Sequence, residues 1–531
     1  MFESVIGTLL DIKSKTKEGL NSRLDMQHLK IRKELHPVLL ENGKYHLPAA
    51  SYNLNREEKH AMCVWLKNLK VPSGFCSNIR SLVSMKDLTF TNYNSHDCHV
   101  MLTTFLPIAI RAINPVFLKM AITRLCYFFN KISEKVIVRD ELESLQKFAA
   151  ETLSQLEMCF PPSFFDIMVH LVVHLVPQIE ALGPMYFHEM WTYERFMSIL
   201  NGYMSNRAHP EGSMIEAYTT EEAIESGGPL CNNLLKDQVS IGLPPLRHEG
   251  RLDGRGRMGR KSFIPPDYNI VLEAHYSILQ QLIIMDPFIE QHMKELREKN
   301  PGCTNDWVHK EHKRQFTTWL KDLDITEESE TIKMLASGPS SQVTSWQSYD
   351  ISGFSFSTSY RDTKSMGQNS GVRCEAIDDA TGETTTYFGF IDDIWEVEYG
   401  PLLQIPVFRC RWVQDKHVTV DNYGQRVLDL SKVGYKDDPW ILANRAAQVF
   451  YVEQILSKDE KKNSHKPKHI AIPRKQQIIG DGVMDLEDVN QFSEMSLFTN
   501  FQENIKNVEK SIPQSSLPWV RYDGQGRTVA R

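Results

Sequence analysis

The chain has 531 residues, 41% of them apolar and 24% charged, which excludes a single small module, a fibre and a wholly disordered polymer. With 60 Lys and Arg against 67 Asp and Glu the net charge is −7, so histone-like binding of nucleic acid by a bulk positive field is excluded and any such grip must be local. The nine cysteines contain no CxxC pair, which argues against a zinc ribbon or a disulfide scaffold and predicts reduced thiols in an intracellular compartment.

The opening MFESVIGTLLDIKSK has no basic region ahead of an apolar stretch and reads as an amphipathic helix, not as a secretory signal. Over 1–240 the apolar spacing is helical, clearest where Leu142, Leu145, Phe148, Ala149, Leu153 and Leu156 recur on one face. The spacing predicts helices over 56–70, 96–130, 139–158, 164–182, 187–207 and 220–226. Asn55 with Glu58, and Ser163 with Asp166, stand at the capping-box spacing that satisfies the free N–H groups of a first turn. The most apolar stretch, 164–177, carries Asp166, His170 and His174 and is too short for a bilayer span of about 20 residues, so no membrane partner is expected.

Residues 241–265, rich in Gly, Pro and Arg, read as a basic linker, and helical spacing resumes over 266–323. An acidic, then Ser-rich second linker is predicted over 324–350. The period then changes from 3.6 to 2. Short runs rich in Val, Ile, Phe, Tyr and Thr, separated by turn signals such as DATG and DNYG, predict a small all-β domain over 351–457, a curled sheet or barrel that folds alone. Trp395, Trp412, Trp440 and Tyr451 in it are read first as core and second as anchors for a protein partner. Residues 458–531 read as a mostly disordered tail. The fold class is therefore α+β, a mainly helical N-terminal half followed by a small β domain.

Few residue patterns carry chemistry by themselves. Asp166, His170 and His174 share a helix face at metal-ligand spacing, yet Asp166 is already used as a cap and the HExxH glutamate is missing, so the two histidines are read as packing residues at a core edge and no metal site is assigned. His96, Asp97, Cys98 and His99 are dense in ligand types, but four consecutive helical residues point in different directions. Gly254, Gly256 and Gly259 spell GxGxxG with no strand before them. Arg247, Arg251, Arg255, Arg257, Arg260 and Lys261 face only Glu249 and Asp253 over 246–262, a flexible cationic segment able to neutralise phosphates. A second, looser basic run at 458–475 is a candidate nuclear-targeting signal. No small-molecule substrate and no cofactor are indicated.

At SHDCHVMLTTFLPIAIR, FPPSFFDIMVHLVVHLV, WTYERFMSILNGYMSNRAHPEGSMIEAY, QNSGV, YFGFIDDIWEVEYG, FRCRWV and VGYKDDPWILANRAAQVFYVE the chain resembles plant CACTA-type (En/Spm) transposases, from about Ile6 to Val452. The resemblance implies two transposase-associated domains of unknown function, one in the middle and one in the β region. It also implies kinship with an RNase H-like core that cuts DNA with two aspartates and a glutamate on divalent metal ions. Glu194 in WTYERF is similar to the family's glutamate, and His170 and His174 to family histidines near the core. The family's aspartates belong to a segment that would precede Met1. The expectation is a non-catalytic, nuclear, transposase-derived protein in which Glu194 is the remnant of a broken site, with DNA contact through the basic linker. The alternative is part of an active transposase, using Mg²⁺ or Mn²⁺ once the aspartate segment is supplied.

Overall fold

The computed structural model describes residues 1–134, 136–185, 190, 197, 200–204, 206, 208–226, 258–323, 329–351, 354–377, 384–400, 403–455, 467–474, 495–513 and 516–530. The helical half opens with α1 (Phe2–Leu9) and α2 (Leu20–His28), followed by the short ribbon β1 (Val38–Leu39) and β2 (Tyr45–Leu47). Then come α3 (Arg56–Asn68), the hairpin β3 (Val83–Ser84) and β4 (Thr89–Phe90), α4 (Ser95–Val100), α5 (Leu106–Ala109), α6 (Val116–Ile132), α7 (Leu142–Cys159), α8 (Ile167–His170) and α9 (Val172–Leu182). The Asn55/Glu58 capping box closes α3 as the spacing predicts. Asp166 instead caps α8 directly, accepting from the Met168 and Val169 amides, while Ser163 donates to the Lys17 carbonyl.

The single helix expected over 96–130 is divided, and proline explains where. Pro107 has no N–H to offer the Thr103 carbonyl four residues back, the backbone widens to a π turn over Met101–Phe105, and the Asn130 side-chain amide takes the freed carbonyl at 3.2 Å. Pro115 then starts α6. A break at Leu171 likewise divides the helix expected over 164–182 into α8 and α9.

Beyond the helical half the strands are β5 (Lys261–Phe263), β6 (Val343–Trp346), β7 (Ser348–Ile351), β8 (Phe354–Ser357), β9 (Gly371–Ile377), β10 (Thr384–Glu398), β11 (Gln404–Val413), β12 (Val418–Val420), β13 (Arg426–Leu428), β14 (Val433–Gly434), β15 (Trp440–Leu442), β16 (Ala447–Glu453) and β17 (His469–Pro473). Eleven of the described strands form one sheet, whose main path runs β12-β13-β17-β16-β9-β10-β11-β14, with β15 on β11 and the pair β5-β6 on β10. The path does not close, so the region is an open sheet and not a barrel. Its long strand β10 pairs antiparallel with both β9 and β11 and is bulged between Ile391 and Asp393.

Helices cover this sheet in two places. Phe450 and Val452 of β16, Ile470 and Ile472 of β17 and Val427 of β13 are buried in the same core as α1, α3, α5 and α6, with the Phe75 and Phe450 rings 4.9 Å apart. Trp395, Val397, Tyr399, Val407, Trp440 and Leu442 pack against the helices Asn269–Gln281, Asn305–Asp322 and Glu330–Ser337. A sheet covered from both sides need not alternate apolar with polar residues, which is why the period-2 signal is imperfect.

The expected linkers and tail are shorter than composition implies. Residues 261–263 of the basic linker are strand β5, and the second linker holds the helix Glu330–Ser337 together with β6 and β7. In the tail, β17 is inserted between β13 and β16. The helix Phe501–Lys510 buries Phe501, Ile505 and Val508 at i, i+4 and i+7, with Phe501 stacked on Tyr127 of α6 at 4.3 Å. A last strand, β18 (Arg527–Val529), completes the β1-β2 ribbon. Short apolar stripes inside polar surroundings order these pieces, and averaging composition over the tail conceals them.

Candidate functional site

A cleft of about 830 Å³ lies at the seam between α3 and the β16-β17 end of the sheet. It is lined by His60, Trp65 and Lys70 from the helical side and by Phe390, Tyr451, Glu453, Lys468 and His469 from the sheet. Trp65 is held by its indole N–H, which donates to the Glu453 carbonyl at 2.7 Å. The Gln368 side chain clamps the Tyr451 backbone, accepting from its amide and donating to its carbonyl. Phe390 packs on Tyr451 with ring centroids 4.8 Å apart. Burial holds the His469 imidazole below its ordinary range, against the opposing pull of Glu453 and Asp429, so it is neutral near pH 7. The lining brings Trp65, Phe390 and Tyr451 together with Lys70, Lys468 and the opposing charge of Glu453, Lys70 Nζ donating to the Asp362 carbonyl at 3.0 Å, and no nucleophile stands beside a base among the lining residues. Sequence reasoning missed this cleft, because its walls come from segments almost 400 positions apart.

The residues singled out in the sequence have varied fates. Glu194 lies outside the described residues, as do Arg247, Arg251, Arg255 and Arg257. Arg260 and Lys261 are exposed at the outer strand β5, with the Arg260 guanidinium 6.0 Å from the Trp346 ring centroid. Asp97 is not a ligand but the third-residue partner in a capping box with Asn94, buried and also bonded to Ser77. Trp395, Trp412, Trp440 and Tyr451 are 5%, 5%, 3% and 4% exposed and serve as core, Tyr451 also lining the seam cleft.

His170 and His174 depart from their expected packing role. Val169, Val172 and Val176 turn inward, whereas both histidines are exposed on the opposite face. Four of the cysteines are held out of the nucleophilic range at neutral pH: burial pushes the Cys63 and Cys98 thiols to about 11 and those of Cys76 and Cys374 to about 12. Among the described residues no three His, Cys, Asp or Glu side chains converge as metal ligands, and no helix is long and apolar enough to cross a membrane.

Two family models match the chain. Residues 132–238 match a domain of unknown function (DUF4218), and residues 395–462 match another (DUF4216). The first spans α7 to α9 and the helix Pro210–Ser226, and the second runs from mid-β10 through β16. No match was found among curated proteins or among solved structures. The chain thus carries two domains of unknown function, one in the helical half and one in the sheet.

Proposed function

We propose that the protein is transposon-derived and resembles the C-terminal portion of a plant CACTA-type transposase, acting in the nucleus without cutting DNA by itself. The observation that carries this reading is the pair of domains of unknown function, matched in the order and at the positions that the resemblance implies. Cutting by two metal ions needs several converging carboxylates, and Glu194 is the one member of the family's catalytic set matched in this chain. Magnesium or manganese would enter only if the full transposase is reconstituted. The purified chain, incubated with duplex DNA and Mg²⁺ or Mn²⁺, is expected to leave the DNA intact. Specific nicking that disappears in Glu194→Ala would overturn the reading.

DNA contact is assigned to the cationic segment 247–261. Arginines spread through a Gly-rich sequence neutralise phosphates, which carry no base identity, so binding should be sequence-tolerant and weak, with Kd on the order of 10⁻⁴ to 10⁻⁶ M at physiological salt. Changing Arg251, Arg255, Arg257 and Arg260 to Ala is expected to flatten the slope of log K against log salt by about 3 to 4, close to 0.9 per lost phosphate contact. An unchanged slope in a filter-binding series would remove this segment from the account and leave Lys70 and Lys468 of the seam cleft as the next cations to neutralise.

A further inference from the structure

His170 closes α8, Leu171 carries the turn, and His174 lies in the first turn of α9. Their Nε2 atoms are 3.1 Å apart, at hydrogen-bonding distance, and both rings are exposed, so once both rings carry their proton on Nδ1 two Nε2 lone pairs are available side by side across the break between the helices. Asp166, one turn earlier, is occupied by the Met168 and Val169 amides and by Lys17 at 3.0 Å, so it neither joins this pair nor competes for it. An ion bonded to both nitrogens at the usual Zn–N length of about 2.05 Å would subtend an N–metal–N angle of about 98°, between the square and tetrahedral values. The rings therefore stand at chelating distance, and no rearrangement of the backbone is needed to accept an ion.

We propose that His170 and His174 form a two-imidazole clamp for a borderline divalent transition metal, zinc or copper, with the remaining coordination positions left to water. Imidazole nitrogens favour these ions over Mg²⁺ or Ca²⁺, which prefer oxygen. Because the ligands lie on either side of Leu171, the bound ion would staple α8 to α9.

The test is titration of the full chain, free of any histidine tag, with Zn²⁺ alone, Cu²⁺ alone and Mg²⁺ alone. Expected are one Zn²⁺ or Cu²⁺ per chain, a copper spectrum of two imidazole nitrogens, a rise in melting temperature and no response to Mg²⁺. His170→Gln and His174→Gln should each weaken binding by roughly tenfold or more, since either change leaves a single ligand. Both side chains are exposed, so circular dichroism should show the variants folded. Binding unaltered in either folded variant, or absent from the folded parent, would overturn the proposal, the former by placing the ion on other histidines of the 18 in the chain.

Discussion

Residues 346–457, expressed alone, are expected to give a molten or aggregated product. Ending the fragment at 457 removes β17, the strand through which β13 joins β16, and beginning it at 346 removes most of β6, which pairs with β10 over Ile394–Val397. The loss of cover is larger still. Phe450, Val452 and Val427, all within the fragment and buried in the full chain, would face water where α3, α5 and α6 had been, and Trp395, Val397 and Trp440 would lose the helices Asn269–Gln281 and Asn305–Asp322. At roughly 1.5–3 kcal/mol for each large apolar side chain, exposing six of them costs about 9–18 kcal/mol. That is comparable to the roughly 5–15 kcal/mol that holds an ordinary domain together. Dispersed amide signals and a cooperative melt from the fragment would sink this expectation, and would mean that the sheet pairs strongly enough to stand without either helical cover.

What could be read in the chain divides along physical lines. Local signals were legible: the Asn55/Glu58 cap, the apolar face of α7 through Leu142, Leu145, Phe148 and Leu156, and the strand runs that became β10, β11 and β16. Each depends on neighbours within a few positions. Long-range placement was not legible. Arg111 ends the apolar string over 100–110, yet it is buried against Asp421 and Gln425 in the turn between β12 and β13, 310 and 314 positions away. No periodicity marks such a pairing. The strands and helix of the tail were missed for a related reason, since Ile470, Ile472, Phe501 and Ile505 are too few to form a core and are ordered only by the core they join. The histidines of α8 and α9 show the reverse error. Apolar neighbours made a packing role look right, but Val169, Val172, Val176 and Ile179 fill the inward face and leave both imidazoles exposed.

Arg521→Ala is expected to be among the most damaging single substitutions in the chain, although it lies ten residues from the C-terminal residue. Arg521 and Glu58 are 2% and 5% exposed at their side chains, and Nη1 stands 2.7 Å from Glu58 Oε2. The same guanidinium donates to the Asn53 carbonyl at 2.7 Å and to Asp523, so it ties the C-terminal segment to the start of α3. Glu58 has already committed both oxygens: Oε2 accepts from the Asn55 amide in the capping box and Oε1 from the Asn114 amide. Removing the arginine therefore leaves a carboxylate fixed out of water with amide donors but no counter-charge, a situation that typically costs about 3–5 kcal/mol. Glu58→Gln keeps the shape and the acceptor while removing the charge, so on the Arg521→Ala background it should recover part of that loss. The double-mutant cycle should consequently show a coupling of about 1–3 kcal/mol by urea melts, as contacting buried charges do. Additive losses would mean that the pair is screened by water and that the C-terminal segment is held by its other contacts, β18 and the Asn53 carbonyl among them. A coupling in the expected range would instead make the C-terminal segment part of what fixes the start of α3, where Arg521 meets Glu58 and the Asn53 carbonyl.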